Sequence, residues 1–178
     1  MQTERMTTTT AGDLLLDAYG RVAGLVPGIV DGLSTDDLLW RPDADANSIA
    51  WLVWHLTRVQ DDHLAGVAGD EQVWTADGWV SRFGLPYDDD ALGYGQSSEE
   101  VGAFVLSDRG LLTGYHAAVQ EMTARVVERI QAADDFDRVV DERWDPPVTV
   151  AVRLVSVVGD TMQHVGQAAY VKGLLQRR

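Results

Sequence analysis

The chain offers four histidines and no cysteine for metal or nucleophilic chemistry. Without a thiolate of its own, it must hold any metal through His, Asp or Glu, and any thiol must come from a cosubstrate. His55 stands out by position. It shares an apolar stripe with Leu52 and Val59, so it is predicted to point inward. A lone inward histidine is more often a hydrogen-bonded core residue than a ligand, but Asp160 and His164 change that balance. They are four apart, so both leave one helical face about one turn from each other. Val157 and Val171 continue that face, which is therefore also predicted to point inward. An ionised aspartate among apolar side chains is costly unless paired or coordinated. Arg153 lies too far along the helix to be its partner. A divalent cation supplies the compensation, and a carboxylate with an i+4 histidine chelates one from a single helix. With His55 from a facing helix, the expected site has three protein ligands and one open position, the pattern of a catalytic zinc. Zn²⁺ is the expected ion, with Ni²⁺ and Fe²⁺ as alternatives. Gln167, one turn past His164, either orients that ligand or satisfies a core polar group. His63 and His116 have no recognisable partner pattern.

Four long amphipathic helices are needed to bring these residues together. The first is predicted over Ala11 to Leu33, capped by Thr10 with Asp13 three residues on, and with an inner stripe of Leu15, Ala18, Val22, Leu25, Ile29 and Leu33. Pro27 should kink it or end it early. Ser34 caps one short turn. The second main helix starts after Asn47 or Ser48 and ends near Gly66 and Gly69, with Ser48, Leu52, His55, Val59 and Asp62 facing inward. Residues 69–96 have no period. They hold Trp74, Trp79, Phe83 and Tyr87, so this long segment is expected to pack over something. Ser97 and Glu100 form a capping box for a short helix. The third main helix is expected over Asp108 to Ala133, with Leu112, Tyr115, Val119, Met122, Val126 and Ile130 inward. The last should start at Asp145-Pro146 and run to Leu175, although Val148–Val152 also alternates like a strand. The predicted fold is all-α: one domain over residues 1–178, an antiparallel four-helix bundle with a long aromatic-rich loop between the second and third main helices.

Composition narrows the function. A formal net charge of −14 argues against nucleic acid and against an anionic membrane surface. No apolar run is long enough to span a bilayer, and the N-terminal MQTERMTTTTAGD lacks a signal-peptide pattern, so a cytoplasmic protein is expected. One lysine and one asparagine against thirteen arginines mark a G+C-rich genome.

Two segments carry a family resemblance. NSIAWLVWHLTRVQDDH, followed about a hundred residues later by GDTMQHVGQAAYVKGLL, resembles the DinB-like superfamily of four-helix bundles. The Asn-Ser-Ile entry, the inward histidine and His-x-Gly-Gln carry most of the likeness. Many members have histidine where this chain has Asp160. A carboxylate there resembles the mycothiol-dependent maleylpyruvate isomerase branch, in which the three ligands bind zinc and a second domain follows. The chain ends at Arg178, just after the bundle, so the isomerase reaction itself is not expected. The resemblance implies a metal-dependent S-transferase that joins a small thiol to a small electrophile, with mycothiol as the expected cosubstrate. Arg82, in the aromatic loop, is a candidate partner for an anionic substrate. Two other readings stay open: a non-catalytic binding or stress-associated bundle, and a metal-dependent hydrolase. A homodimer is expected, because bundles with wide apolar faces often pair.

Overall fold

The computed structural model describes residues 9–178, so the first eight residues of the N-terminal stretch lie outside it. Four helices form the bundle: α1 (Ala11–Val30), α3 (Ile49–Ala68), α7 (Gly110–Ala133) and α8 (Val150–Leu175). Short helices α2 (Thr35–Leu39), α4 (Val73–Ala76), α5 (Trp79–Phe83) and α6 (Ser98–Gly102) lie in the connections, with one two-stranded ribbon of β1 (Val139–Asp141) and β2 (Val148–Thr149). The expected all-α class holds, with helix over 64% of the described residues.

Local chemistry sets most of the boundaries. Thr10 with Asp13, Ser34 with Asp37 and Ser97 with Glu100 each form the reciprocal capping box. Ser48, of the two candidates, caps α3, and Gly69 closes it in a left-handed conformation at φ 72°. Pro27 sits in the last turn of α1, which ends at Val30. Two expectations need correction. The last helix does not start at Asp145: Val148 and Thr149 pair with β1, and Thr149 caps α8 by accepting from the Val152 amide. The strand-like alternation wins because the ribbon satisfies backbone groups that a free first turn would leave open. In α1, Tyr19 and Val26 are buried where Ala18 and Leu25 were expected, and Leu25 is 53% exposed.

Of the four packed pairs of long helices, two are antiparallel and two parallel. The α1 start lies at the α7 end, where Gln131 accepts from the Gly12 amide, and the α3 end meets the α8 start, where His63 meets Arg153. By contrast, α1 runs parallel to α8, whose Lys172 reaches the carbonyls of Gly28 and Asp31. Helix α3 runs parallel to α7: Thr57 meets His116, and Arg129 reaches the Ala68 carbonyl. The α3–α7 connection must therefore travel the length of the bundle, which explains its length.

That connection lies over α3. Trp74, Trp79 and Phe83 are buried, and Trp74 and Trp79 each pack on Tyr115 of α7. As a result α3 is buried on nearly every side, polar residues included.

Candidate metal centre

The structure brings His55, Asp160 and His164 together. One donor atom from each lies within 4.8 Å of the others, so a small inward adjustment lets one cation touch all three. His55 is buried, with its ring stacked on Trp51 at 4.7 Å and meeting His164 edge-on at 4.7 Å. Asp160 and His164 are partly exposed, so the site opens to solvent along α8.

Each imidazole is oriented through Nδ1. His55 Nδ1 meets the Leu92 carbonyl, which can only accept, so that nitrogen carries the hydrogen and Nε2 the lone pair. His164 Nδ1 lies 3.0 Å from Gln167 Oε1, and its Nε2 lies 3.5 Å from Asp160 Oδ1. Of the two roles open to Gln167, the orienting one is what the geometry shows. Burial lowers the His55 pKa and keeps the ring neutral, as a ligand must be. The Asp160 hydrogen bond raises the pKa of His164. Burial alone would raise Asp160, but the hydrogen bond and charge of His164, with smaller help from His55 and His63, hold it below the usual carboxylate range. Asp160 Oδ2 is buried and has no hydrogen-bond partner. A carboxylate with one buried oxygen lacking a donor, gathered with two imidazoles whose Nδ1 atoms are engaged elsewhere, is what a divalent ion would complete. Asp160 is less enclosed than expected, its side chain being 35% exposed.

His55 owes its orientation to the long connection. Arg58 Nε donates to the Ala91 carbonyl, Trp74 Nε1 to that of Asp89 and Trp51 Nε1 to Gln96 Oε1, so four side chains pin residues 89–96 across α3. Gly93 makes the close approach possible. Its φ is +86°, and a Cβ there would sit 2.9 Å from both His55 Nδ1 and Trp51.

Beside the centre is a cavity of about 570 Å³ between the α3 entry and the α8 end, lined by Asn47, Leu52, Gln167, Tyr170 and Val171 among others. Arg82 is not part of it. It is exposed and stacks on Trp79 at 4.5 Å, and no hydrogen bond or ion pair links it to the three ligands. Arg153 pairs with Asp141 at 3.1 Å and meets His63 at 3.3 Å, in keeping with its exclusion as a partner of Asp160. His116 is buried against Thr57.

Sequence reasoning missed a second polar cluster. Asp61 is fully buried, whereas Asp62, placed inward by the stripe, is half-buried and accepts from Gln72. Asp61 accepts from the amides of Val73 and Trp74 and from the Tyr115 hydroxyl, with Arg58 at 3.8 Å. Arg58 and Asp61, opposite charges three apart on one helix, were the available signal.

Fold and donor set together define a helical bundle with a metal-competent centre at its α3–α8 edge. The chain belongs to the DinB superfamily, whose family model matches residues 18–168. It is also similar to a crystal structure described as the conserved protein of locus from Enterococcus faecalis, at 26% identity and TM-score 0.89, over 96% of this chain and 100% of that one. No curated protein matches.

Proposed function

We propose that the protein is a metal-dependent S-transferase joining a low-molecular-weight thiol, mycothiol first among them, to a small electrophile. The observation that carries the reading is the convergence of Asp160, whose buried Oδ2 has no hydrogen-bond partner, with two histidines whose Nδ1 atoms are engaged elsewhere. His55, Asp160 and His164 would hold one divalent ion, Zn²⁺ by preference. When bound, such an ion supplies a Lewis-acid position at which a thiol loses its proton. The absence of cysteine leaves the nucleophile to a cosubstrate. Leu92 and Gln167 keep the two imidazoles aimed, so little reorganisation is needed on ligand binding. Trp51 and the Gly93 segment shut water out behind His55. The cavity beside Gln167 has a mostly apolar wall with room for a small organic substrate.

The test has two stages. Protein purified without chelator or affinity metal should hold about one divalent ion per three-ligand site. The loaded protein should then consume a generic electrophile only when a thiol is supplied, fastest with mycothiol. Turnover that ignores thiol would move the reading to a hydrolase. Protein that neither retains nor takes up metal would leave a non-catalytic bundle.

A further inference from the structure

The candidate metal centre lies midway along a groove. Leu52, His55, Val59, His63 and Gly66 follow at intervals of three and four, so they share one face of α3. Arg153, Asp160, His164, Gln167 and Val171 follow at intervals of seven, four, three and four, so they share one face of α8. The two helices are antiparallel, and these faces run along each other. At one end His63 meets Arg153 at 3.3 Å, and at the other Leu52 shares a cavity wall with Gln167 and Tyr170. Each end holds a cavity: one of about 410 Å³ beside His63 and Arg153, and the one of about 570 Å³ beside Gln167.

The two cavities differ in chemistry. The larger has the mostly apolar wall described above. The smaller is lined by Asp62, His63, Asp141, Arg143 and Arg153 among others, two carboxylates against two guanidiniums, so its formal charges cancel. Asp141 is 8% exposed and accepts from Arg143 at 2.8 and 2.9 Å and from Arg153 at 3.1 Å, which fixes both guanidiniums in the wall. Arg153 Nη1 can only donate, so His63 Nδ1 accepts from it and Nε2 carries the ring hydrogen. Burial and the charge of Arg153 lower the His63 pKa, and the neutral ring adds no charge of its own. A hydroxyl both donates and accepts, so a charge-balanced wall dense in donors and acceptors suits an uncharged, hydroxyl-rich group. An anionic group finds no excess positive charge here, on a chain of formal net charge −14.

We infer, resting on the S-transferase reading above, that the groove is divided between the two substrates. The uncharged, hydroxyl-rich head of the thiol fills the polar cavity at His63 and Arg153, its sulfur reaches the centre at Asp160, and the electrophile lies in the apolar cavity beyond Gln167. Arg153 precedes Asp160 by seven residues, about 10 Å of helix. A cysteinyl group joined to a sugar spans that gap. The two substrates then meet at the centre from opposite ends and do not compete for one surface. A peptide thiol, whose head carries carboxylates, is disfavoured by the same wall.

Isothermal titration calorimetry with S-methyl mycothiol, whose head is intact and whose sulfur is capped, reads the polar cavity apart from metal and turnover. Wild type should bind this probe with and without zinc, at least about tenfold more tightly than S-methyl glutathione. His63→Ala and Arg143→Ala should each weaken binding at least about fivefold. The Arg143 side chain is 85% exposed, so that variant should fold even where His63→Ala does not. Tyr170→Ala, in the other cavity, should change the affinity less than about twofold. No binding of S-methyl mycothiol, equal binding of the two probes, or a larger loss on Tyr170→Ala than on Arg143→Ala overturns the assignment, even where thiol-dependent turnover holds. The expected binding pattern in a protein without thiol-dependent turnover supports the head subsite and overturns the transferase reading alone.

Discussion

At the scale of single residues, Asp160 decides most. It is the only anionic member of the triad, so it should carry much of the affinity for a divalent ion. An uncompensated buried carboxylate would make the metal-free protein gain stability on Asp160→Asn. The structure shows instead a side chain that is 35% exposed and faces His164 at 3.5 Å. The metal-free variant should therefore stay within about 1 kcal/mol of wild type. Zinc separates them. At a hundredfold excess over Kd, binding adds about 2.7 kcal/mol to the native state, a rise of roughly 5–10 °C in Tm for a chain of this size. Wild type should show that rise and Asp160→Asn should not. Equal shifts in the two melting curves would remove Asp160 from the ligand set.

At the scale of elements, the centre depends on how the long connection is clamped to α3. Gly93→Ala would force a side chain into a left-handed backbone and against His55, Trp51 and Trp54. The backbone alone costs about 1–2 kcal/mol, and the clash adds to it. The 89–96 segment should lift, taking the Leu92 carbonyl off His55, so zinc affinity should fall along with Tm. A variant that melts early but binds zinc as tightly as wild type would show that the Leu92 contact does not position the ligand. The other end of the clamp is Asp61. Asp61→Asn leaves Arg58 without a countercharge in a fully buried position and keeps only one of the two oxygens, so one of the Val73 and Trp74 amides loses its acceptor. Breaking a buried pair from one side costs about 3–5 kcal/mol. Chemical denaturation should show a loss of that order, and a loss under about 1 kcal/mol would mean that water already reaches Arg58.

At the scale of the whole molecule, acid stability reports on the α3–α7 packing. His116 is 3% exposed, and burial pushes its pKa down to about 4. The unfolded chain protonates near the ordinary histidine value of about 6.5. Between these two values the unfolded state binds a proton that the native state refuses, so stability falls as pH drops from about 6.5 to about 4. The fall attributable to His116 is up to about 3 kcal/mol. His116→Gln should flatten the dependence of Tm on pH over that window, whatever its effect at neutral pH. Parallel curves for the two proteins would mean that His116 titrates normally in the fold. Among the described residues no helix is long and apolar enough to cross a membrane.

The sequence by itself determined the four long helices, two of the short ones and the identity of the three candidate ligands. These follow from local rules: an N-cap hydroxyl satisfies its own helix, and residues four apart share a face wherever the helix ends up. Tertiary structure decided what lies outside one helical period. It showed that the aromatic segment 69–96 covers a second side of α3, which is why Asp61 and not Asp62 is buried, since a single stripe cannot reveal a helix enclosed on several faces. It drew Arg82 away onto Trp79 and gave Gln167 its orienting role. It set the Leu92 carbonyl on His55 through a glycine whose left-handed backbone carries no mark in the periodicity. The start of α8 was settled the same way. Val148 and Thr149 read equally as strand or helix, and only the presence of β1 as a partner chose strand, because a backbone hydrogen bond needs both of its ends.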